Sequence, residues 1–165
     1  MNSSLGEKIQ VVDNFLSNQD FQTIVCELKQ ARWGFQSSDN TKSTNEFLLY
    51  DVSEKKYFNE ELNKKIQKYF SLDCKCDRIY FNGQWPGRDG DFHVDPSLKT
   101  FLIYISNYNI SWGGFTHFFE PPDHEYMVSP KTNRGVLFPG SLFHKAYSFS
   151  NQNCPMRISL AYKFV

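Results

Sequence analysis

The chain has 165 residues, with eighteen basic and eighteen acidic side chains and zero formal net charge. That balance argues against holding nucleic acid through a global positive field, and the length suits one well-buried core better than two domains. Aromatic residues make up 17% of the chain, sixteen of them Phe, enough for an interior that excludes water from a reactive centre. The N-terminal residues 1–8 show no basic segment followed by an apolar core, so no signal peptide is expected. No apolar run reaches the length of a membrane span. The expected compartment is the cytoplasm, of a bacterial or a virus-infected cell. Cys26, Cys74, Cys76 and Cys154 are not spaced as paired metal knuckles and are expected to remain thiols.

In chain order, residues 11–16 read as an opening strand. Ser17 and Asp20 form a Ser-x-x-Asp helix start, and Phe21, Ile24, Val25 and Leu28 recur at helical spacing towards Ala31. Residues 36–46 are polar and unpatterned, which predicts a mobile loop. A second helix is expected over about 54–70, with Tyr57, Phe58, Leu62, Ile66, Tyr69 and Phe70 on its buried side. From residue 75 the pattern changes to short β-like runs broken by Gly, Pro, Asn and Asp. The expected strands are 77–84, 91–94, 99–106, 113–119, 124–129, 134–139, 144–149 and 156–164. The chain is therefore expected to be a single domain over 1–165, mostly β with flanking helices. A double-stranded β-helix, or jelly roll, at about 75–165 would be braced by N-terminal α-helices in about 1–74.

Residues 91–96 read Asp-Phe-His-Val-Asp-Pro, and alternation over two positions places His93 and Asp95 on one face of a strand. His144 follows 49 positions after Asp95, behind the apolar run 136–143. Two imidazoles and a carboxylate on one side of a metal form the facial triad of non-haem Fe(II) oxygenases, with other coordination positions left open. Zinc would also be satisfied by these three ligands, and hydrolysis would then be the chemistry. Arg157 and Ser159 share a strand face, so a guanidinium fork and a hydroxyl could converge on the far carboxylate of a dicarboxylic keto acid. Tyr80 and Tyr104 are candidates for phenolic hydrogen bonds in the same pocket, or core tyrosines with satisfied hydroxyls. Thr116 is a further hydroxyl candidate.

These blocks resemble the Fe(II)- and 2-oxoglutarate-dependent oxygenases, and within them the prolyl 4-hydroxylase-like group. The resemblance is carried by Tyr80-Phe81-Asn82-Gly83-Gln84, His93-Val94-Asp95, Phe101-Leu102-Ile103-Tyr104-Ile105, Trp112-Gly113-Gly114-Phe115-Thr116, the run from Gly135 to His144, and Arg157-Ile158-Ser159. It covers about residues 78–164. It implies Fe(II), 2-oxoglutarate and dioxygen as cofactors, with ascorbate as an accessory, and substrate oxidation coupled to release of succinate and carbon dioxide. The chain departs from the group in a longer, polar insert over 85–91 and in Arg157, where collagen-modifying relatives commonly carry Lys.

The expected function is hydroxylation of an unactivated carbon, with peptidyl proline or another protein side chain favoured over a small molecule and nucleic acid disfavoured by the charge balance. Trp85, Arg88 and His117 are candidates to touch substrate. The plainer alternatives are a solvated loop for Arg88, Asp89 and Asp91, and surface or rim positions for His117 and His124. Residues 85–91 and 36–46 are expected to border substrate entry. A catalytically silent jelly-roll module and a zinc hydrolase stand as the alternative readings of the whole.

Overall fold

Alternation of side chains along the later two thirds of the chain produces two facing sheets in the computed structural model, which describes residues 4–37 and 46–165. The strands are β1 (Gln10–Val12), β2 (Gly34–Ser37), β3 (Glu46–Asp51), β4 (Cys76–Gln84), β5 (Lys99–Tyr104), β6 (Thr116–Glu120), β7 (His124–Val128), β8 (Gly135–Pro139), β9 (Phe143–Ala146) and β10 (Arg157–Phe164). Seven form a major sheet in the order β1-β8-β5-β10-β4-β3-β2, and three form a minor sheet in the order β7-β6-β9. Two antiparallel sheets with few helices are consistent with a jelly roll.

β4 and β10 sit at the centre of the major sheet and show how it is divided. Ile79 and Phe81 of β4, with Leu160, Tyr162 and Phe164 of β10, enter one core cluster together with Ile24, Phe58, Leu62 and Ile66 from the helical segments. The alternate residues Arg78, Tyr80, Asn82 and Gln84, with Arg157, Ser159 and Lys163, line a cavity on the opposite face. Tyr104, Val136 and Phe138 of the major sheet pack with Phe118 and Val128 of the minor sheet in a second cluster. Each fully buried apolar side chain contributes roughly 1.5–3 kcal/mol.

Helix α1 (Asn18–Leu28) begins where expected: the Ser17 side chain accepts from the Asp20 amide at 3.1 Å, a cap of about 1 kcal/mol. The second expected helix is a π-helical segment (Tyr57–Leu62) running into α2 (Asn63–Phe70). Among the described residues no helix is long and apolar enough to cross a membrane.

Several boundaries differ from expectation. The opening strand is short, because Phe15 and Leu16 join the core cluster after it ends. Gln36 and Ser37 lie in β2 and Glu46 in β3. The rest of the expected 36–46 loop falls outside the described residues. β3 itself was not anticipated. Residues 91–94 are not a regular strand: their ladder contact is a single bridge between His93 and His144, since Pro96 and the glycines before it interrupt pairing. Asp89 is not merely solvated either, because its Oδ1 accepts from both the amide and the hydroxyl of Ser148 at 2.9 Å and ties the 85–91 insert to the approach to β10.

Candidate active site

His93, Asp95 and His144 converge, with one ligand atom from each lying within 4.8 Å of the others. His93 and His144 exchange backbone hydrogen bonds at 2.9 Å in both directions, so one bridge fixes both imidazoles at the rim of the minor sheet. Asp95 is set by a different element: its amide donates to Gly140 O at 2.8 Å, and Gly140 follows β8. An added Cβ at Gly140 would stand 2.0 Å from Ser97 O, so only glycine allows this approach.

Each imidazole is oriented through its Nδ1, which donates to a backbone carbonyl: Asp91 O at 2.9 Å for His93 and Leu142 O at 2.7 Å for His144. That tautomer leaves both Nε2 lone pairs for a metal. His93 Nε2 lies 3.7 Å from Asp95 Oδ1, and His144 Nε2 lies 3.5 Å from Asp95 Oδ2. Burial pushes the His144 pKa down to about 4, against the attraction of Asp95, so the ring is neutral near pH 7 as a ligand must be. Burial works against the charged form of Asp95, but Lys163, His144 and hydrogen bonds from Lys163 and Thr100 outweigh it and hold the pKa below its ordinary value.

The chemistry of this donor set fits a divalent cation. Asp95 Oδ1 is buried without a hydrogen-bond partner, an arrangement costly in a carboxylate unless something else completes it. Oδ2 is already engaged by the Thr100 hydroxyl at 2.5 Å and by the Lys163 ammonium. A carboxylate with one committed and one orphaned oxygen is prepared for single-oxygen ligation. Two imidazoles with it leave half of an octahedron open.

The same cavity extends to Arg157, which is only 2% exposed. Its Nε donates to Gly114 O at 2.9 Å, Nη1 to Gln84 Oε1 at 2.9 Å and Nη2 to Thr116 Oγ1 at 3.1 Å. All three acceptors are neutral. Of the five donors of a guanidinium, two remain uncommitted. The Thr116 hydroxyl also accepts from Tyr104 Oη at 2.7 Å. Both its acceptor positions are thus filled, and its own hydrogen is left to donate. Burial lowers the Arg157 pKa from its ordinary value while Tyr104 opposes that shift. The pole of the cavity opposite the His-Asp-His cluster is therefore a buried, positive, hydrogen-bond-donating pocket.

Ser159, Tyr80 and Thr116 line this cavity with Arg157 and the two histidines. Tyr104 is buried behind them and reaches the pocket through Thr116. Trp85, Arg88 and His117 are absent from the lining. Trp85 and Arg88 are exposed, whereas His117 is buried on the outer side of the minor sheet, between Phe92 and Tyr147. Sequence reasoning passed over Gln84, Thr100 and Lys163. Gln84 had a legible signal, since strand alternation from Tyr80 places it beside Arg157. Its side-chain amide also donates to Arg88 O and Ala146 O, which links the insert to the guanidinium.

No family model matches the sequence, and no curated protein matches it. Solved structures do share the fold. A 2OG-Fe(II) oxygenase family oxidoreductase from Burkholderia pseudomallei superposes with TM-score 0.77 at 10% identity, covering 96% of this chain and 85% of that one. A prolyl-4-hydroxylase from Pseudomonas putida gives TM-score 0.70 at 14% identity, covering 95% and 92%. A Trichoplax adhaerens prolyl hydroxylase, solved in complex with a hypoxia inducible factor oxygen degradation domain peptide fragment, gives 0.72 at 14%, covering 95% and 83%. The chain therefore has the fold of the 2-oxoglutarate-Fe(II) oxygenases. Its structural neighbours include prolyl hydroxylases.

Proposed function

We propose that the chain is an Fe(II)- and 2-oxoglutarate-dependent dioxygenase that hydroxylates an unactivated carbon, with peptidyl proline or another protein side chain as its substrate class. The observation that carries this reading is one cavity with two poles: a His-Asp-His cluster with a buried, orphaned carboxylate oxygen, and a buried guanidinium whose polar partners are all neutral. Zinc hydrolysis gives the second pole nothing to do. A keto dicarboxylate uses both.

His93 Nε2, His144 Nε2 and Asp95 Oδ1 would hold the metal. Arg157, Thr116 and Ser159 would take the distal carboxylate of the keto acid, with Tyr104 fixing the Thr116 rotor and Tyr80 forming part of the wall. Iron, when bound, would let dioxygen act as the oxidant, one oxygen atom entering 2-oxoglutarate as it leaves as succinate and carbon dioxide and the other entering the substrate C–H bond as a hydroxyl. The protein contributes placement: ligand tautomers set by carbonyls and a positive pocket that orients the keto acid. Residues 1–165 act as one domain in this reading, the helical segments bracing the jelly roll, and ascorbate would serve only to restore iron after unproductive turnover. The peptide-bound neighbour supports a protein substrate.

The test is succinate formation from 2-oxoglutarate with and without Fe(II), alongside screening of prolyl peptides, proteome extracts and small molecules for a mass gain of one oxygen. Iron-dependent succinate with an oxidised acceptor supports the proposal. Turnover without iron, or a protein that binds neither metal nor keto acid, makes it a hydrolase or a silent module.

A further inference from the structure

The cavity has a second arginine, at the end away from Arg157. Thr100 of β5, Lys163 of β10 and Arg78 of β4 are successive register partners across three strands, and Lys163 and Arg78 both line the cavity. Asp95 engages Lys163 and the Thr100 hydroxyl. Arg78 stands two strand spacings from Thr100, roughly 10 Å between Cα atoms, which places it beside the His-Asp-His cluster. Arg157 lies six positions from Lys163 along β10, roughly 20 Å at strand spacing, a distance too long for one small keto diacid to span. The Arg78 side chain is 37% exposed, whereas Arg157 is buried, so Arg78 marks the mouth of the cavity.

Its guanidinium lies over the Tyr80 ring, 4.6 Å from the centroid, and 3.7 Å from Asp51 Oδ2, beyond hydrogen-bond distance. An ion pair this long between half-exposed side chains contributes little and exchanges readily for a better-placed acceptor. On the neighbouring strand β3, Phe47 and Leu49 line the same cavity, and Asp51 follows them on that face, opposite Tyr80 in register. The wall beside Arg78 is therefore apolar up to a loose ion pair at its lip.

We propose that Arg78 selects the acceptor by binding a carboxylate carried within about 10 Å of the carbon to be oxidised, the spacing set by two strands. The hydrocarbon part of such an acceptor packs along Phe47 and Leu49. Its carboxylate replaces Asp51 on a guanidinium that the buried Tyr80 ring already holds flat. Two attachments orient the acceptor toward the cluster. An Asp or Glu next to the acceptor residue, a chain that ends in that residue, and a free amino acid all offer this chemistry. The inference rests on the oxygenase reading of the cavity and adds the charge of its substrate.

The experiment measures binding of peptides carrying one neutral dye to the full chain loaded anaerobically with Mn(II) and 2-oxoglutarate, read by fluorescence anisotropy. One set has a single internal proline flanked by Glu, Gln or Lys. A second set ends in proline as the free acid or the amide, and unlabelled proline and prolinamide enter as competitors. In at least one set the wild type should prefer the acidic probe over its neutral counterpart by about tenfold or more, as a charge-assisted contact gives. The set that shows the preference identifies the source of the carboxylate. Arg78→Gln should abolish the preference, Arg78→Glu should invert it, and Asp51→Asn should increase it by removing the competing carboxylate. Equal binding of acidic and neutral probes by the wild type overturns the proposal, as does failure to bind any probe, and both results stand without a variant. A preference that survives in Arg78→Gln, checked for folding by thermal unfolding, also overturns it. So does a loss of 2-oxoglutarate affinity in Arg78→Gln as large as the loss of the acidic probe, which would put Arg78 on the keto acid. Absence of the Fe(II)–2-oxoglutarate absorption band in the wild type is a separate result and overturns the oxygenase reading itself.

Discussion

Arg157 is a full positive charge in the interior whose three acceptors are all uncharged, a state that is costly until an anion joins it. Arg157→Gln should therefore weaken 2-oxoglutarate binding by roughly 100-fold, consistent with the 2–5 kcal/mol typical of truncated buried charge pairs, while Mn(II) binding without keto acid stays within about twofold of wild type. Titration of the Fe(II)–2-oxoglutarate absorption band checks the first and Mn(II) titration the second; equal losses in both would remove Arg157 from the pocket's function. His144 yields a pH prediction. Its pKa falls from 6.5 to about 4 on folding, so between those values the unfolded chain binds more protons than the folded one and stability rises with pH. The metal-free protein should gain about 3 kcal/mol from this residue between pH 4 and 6.5, and His144→Gln should flatten that part of the profile in urea unfolding. At this scale the His93, Asp95 and His144 cluster was legible because a His-x-Asp pair ahead of a proline is joined by a third candidate ligand behind the apolar run 136–143. Lys163 was not, since a lysine in a strand reads as a solvated side chain; only the fold shows that its neighbour is Asp95.

Elements explain why those residues meet. The segment carrying His93 is almost without ladder pairing, and it is secured by its bridge to His144 on one face and by the stacking of Phe92 on Phe143, with centroids 5.1 Å apart, on the other. Asp95 depends on the turn after β8. Gly140→Ala drives a methyl into the Ser97 carbonyl, so it should cost at least about 2 kcal/mol and weaken Mn(II) binding at least tenfold by displacing the carbonyl that holds the Asp95 amide. Urea unfolding and Mn(II) titration measure the two effects; a variant of wild-type stability and affinity would show that the turn adapts freely. Most of the expected later strands appear within a few residues. β3 stayed hidden because Phe47-Leu48-Leu49-Tyr50 lacks polar alternation. Phe47 and Leu49 line the cavity while Tyr50 packs against the core cluster, so both faces of that strand favour apolar residues. Residues 91–94 erred in the opposite direction, alternating like a strand without neighbours to pair with.

At the scale of the molecule, the site joins the two sheets: His93 and His144 belong to the minor-sheet side, while Arg157, Ser159 and Lys163 belong to the major sheet. Ligands that touch both should act as cross-braces. Mn(II) with 2-oxoglutarate, each at about 100 times its dissociation constant, should stabilise the fold by at least roughly 2.7 kcal/mol and raise the unfolding temperature by about 5–10 °C. Chelation should reverse the shift, and His93→Ala should lack it; an equal shift in that variant would place binding elsewhere. The layered β architecture was legible from the spacing of turns, whereas the division of β4 and β10 into a core face and a cavity face required their register. That register has the character of a reading frame. In β10, Arg157, Ser159 and Lys163 face the cavity, and Ile158, Leu160, Tyr162 and Phe164 pack with the core cluster. A single residue inserted near its start would exchange the two sets, sending three polar side chains into the hydrocarbon interior and four apolar ones into the cavity. Substitutions along this strand damage one contact at a time, but a change in its count by one erases both poles of the cavity at once, so inherited length variation should be confined to the loops.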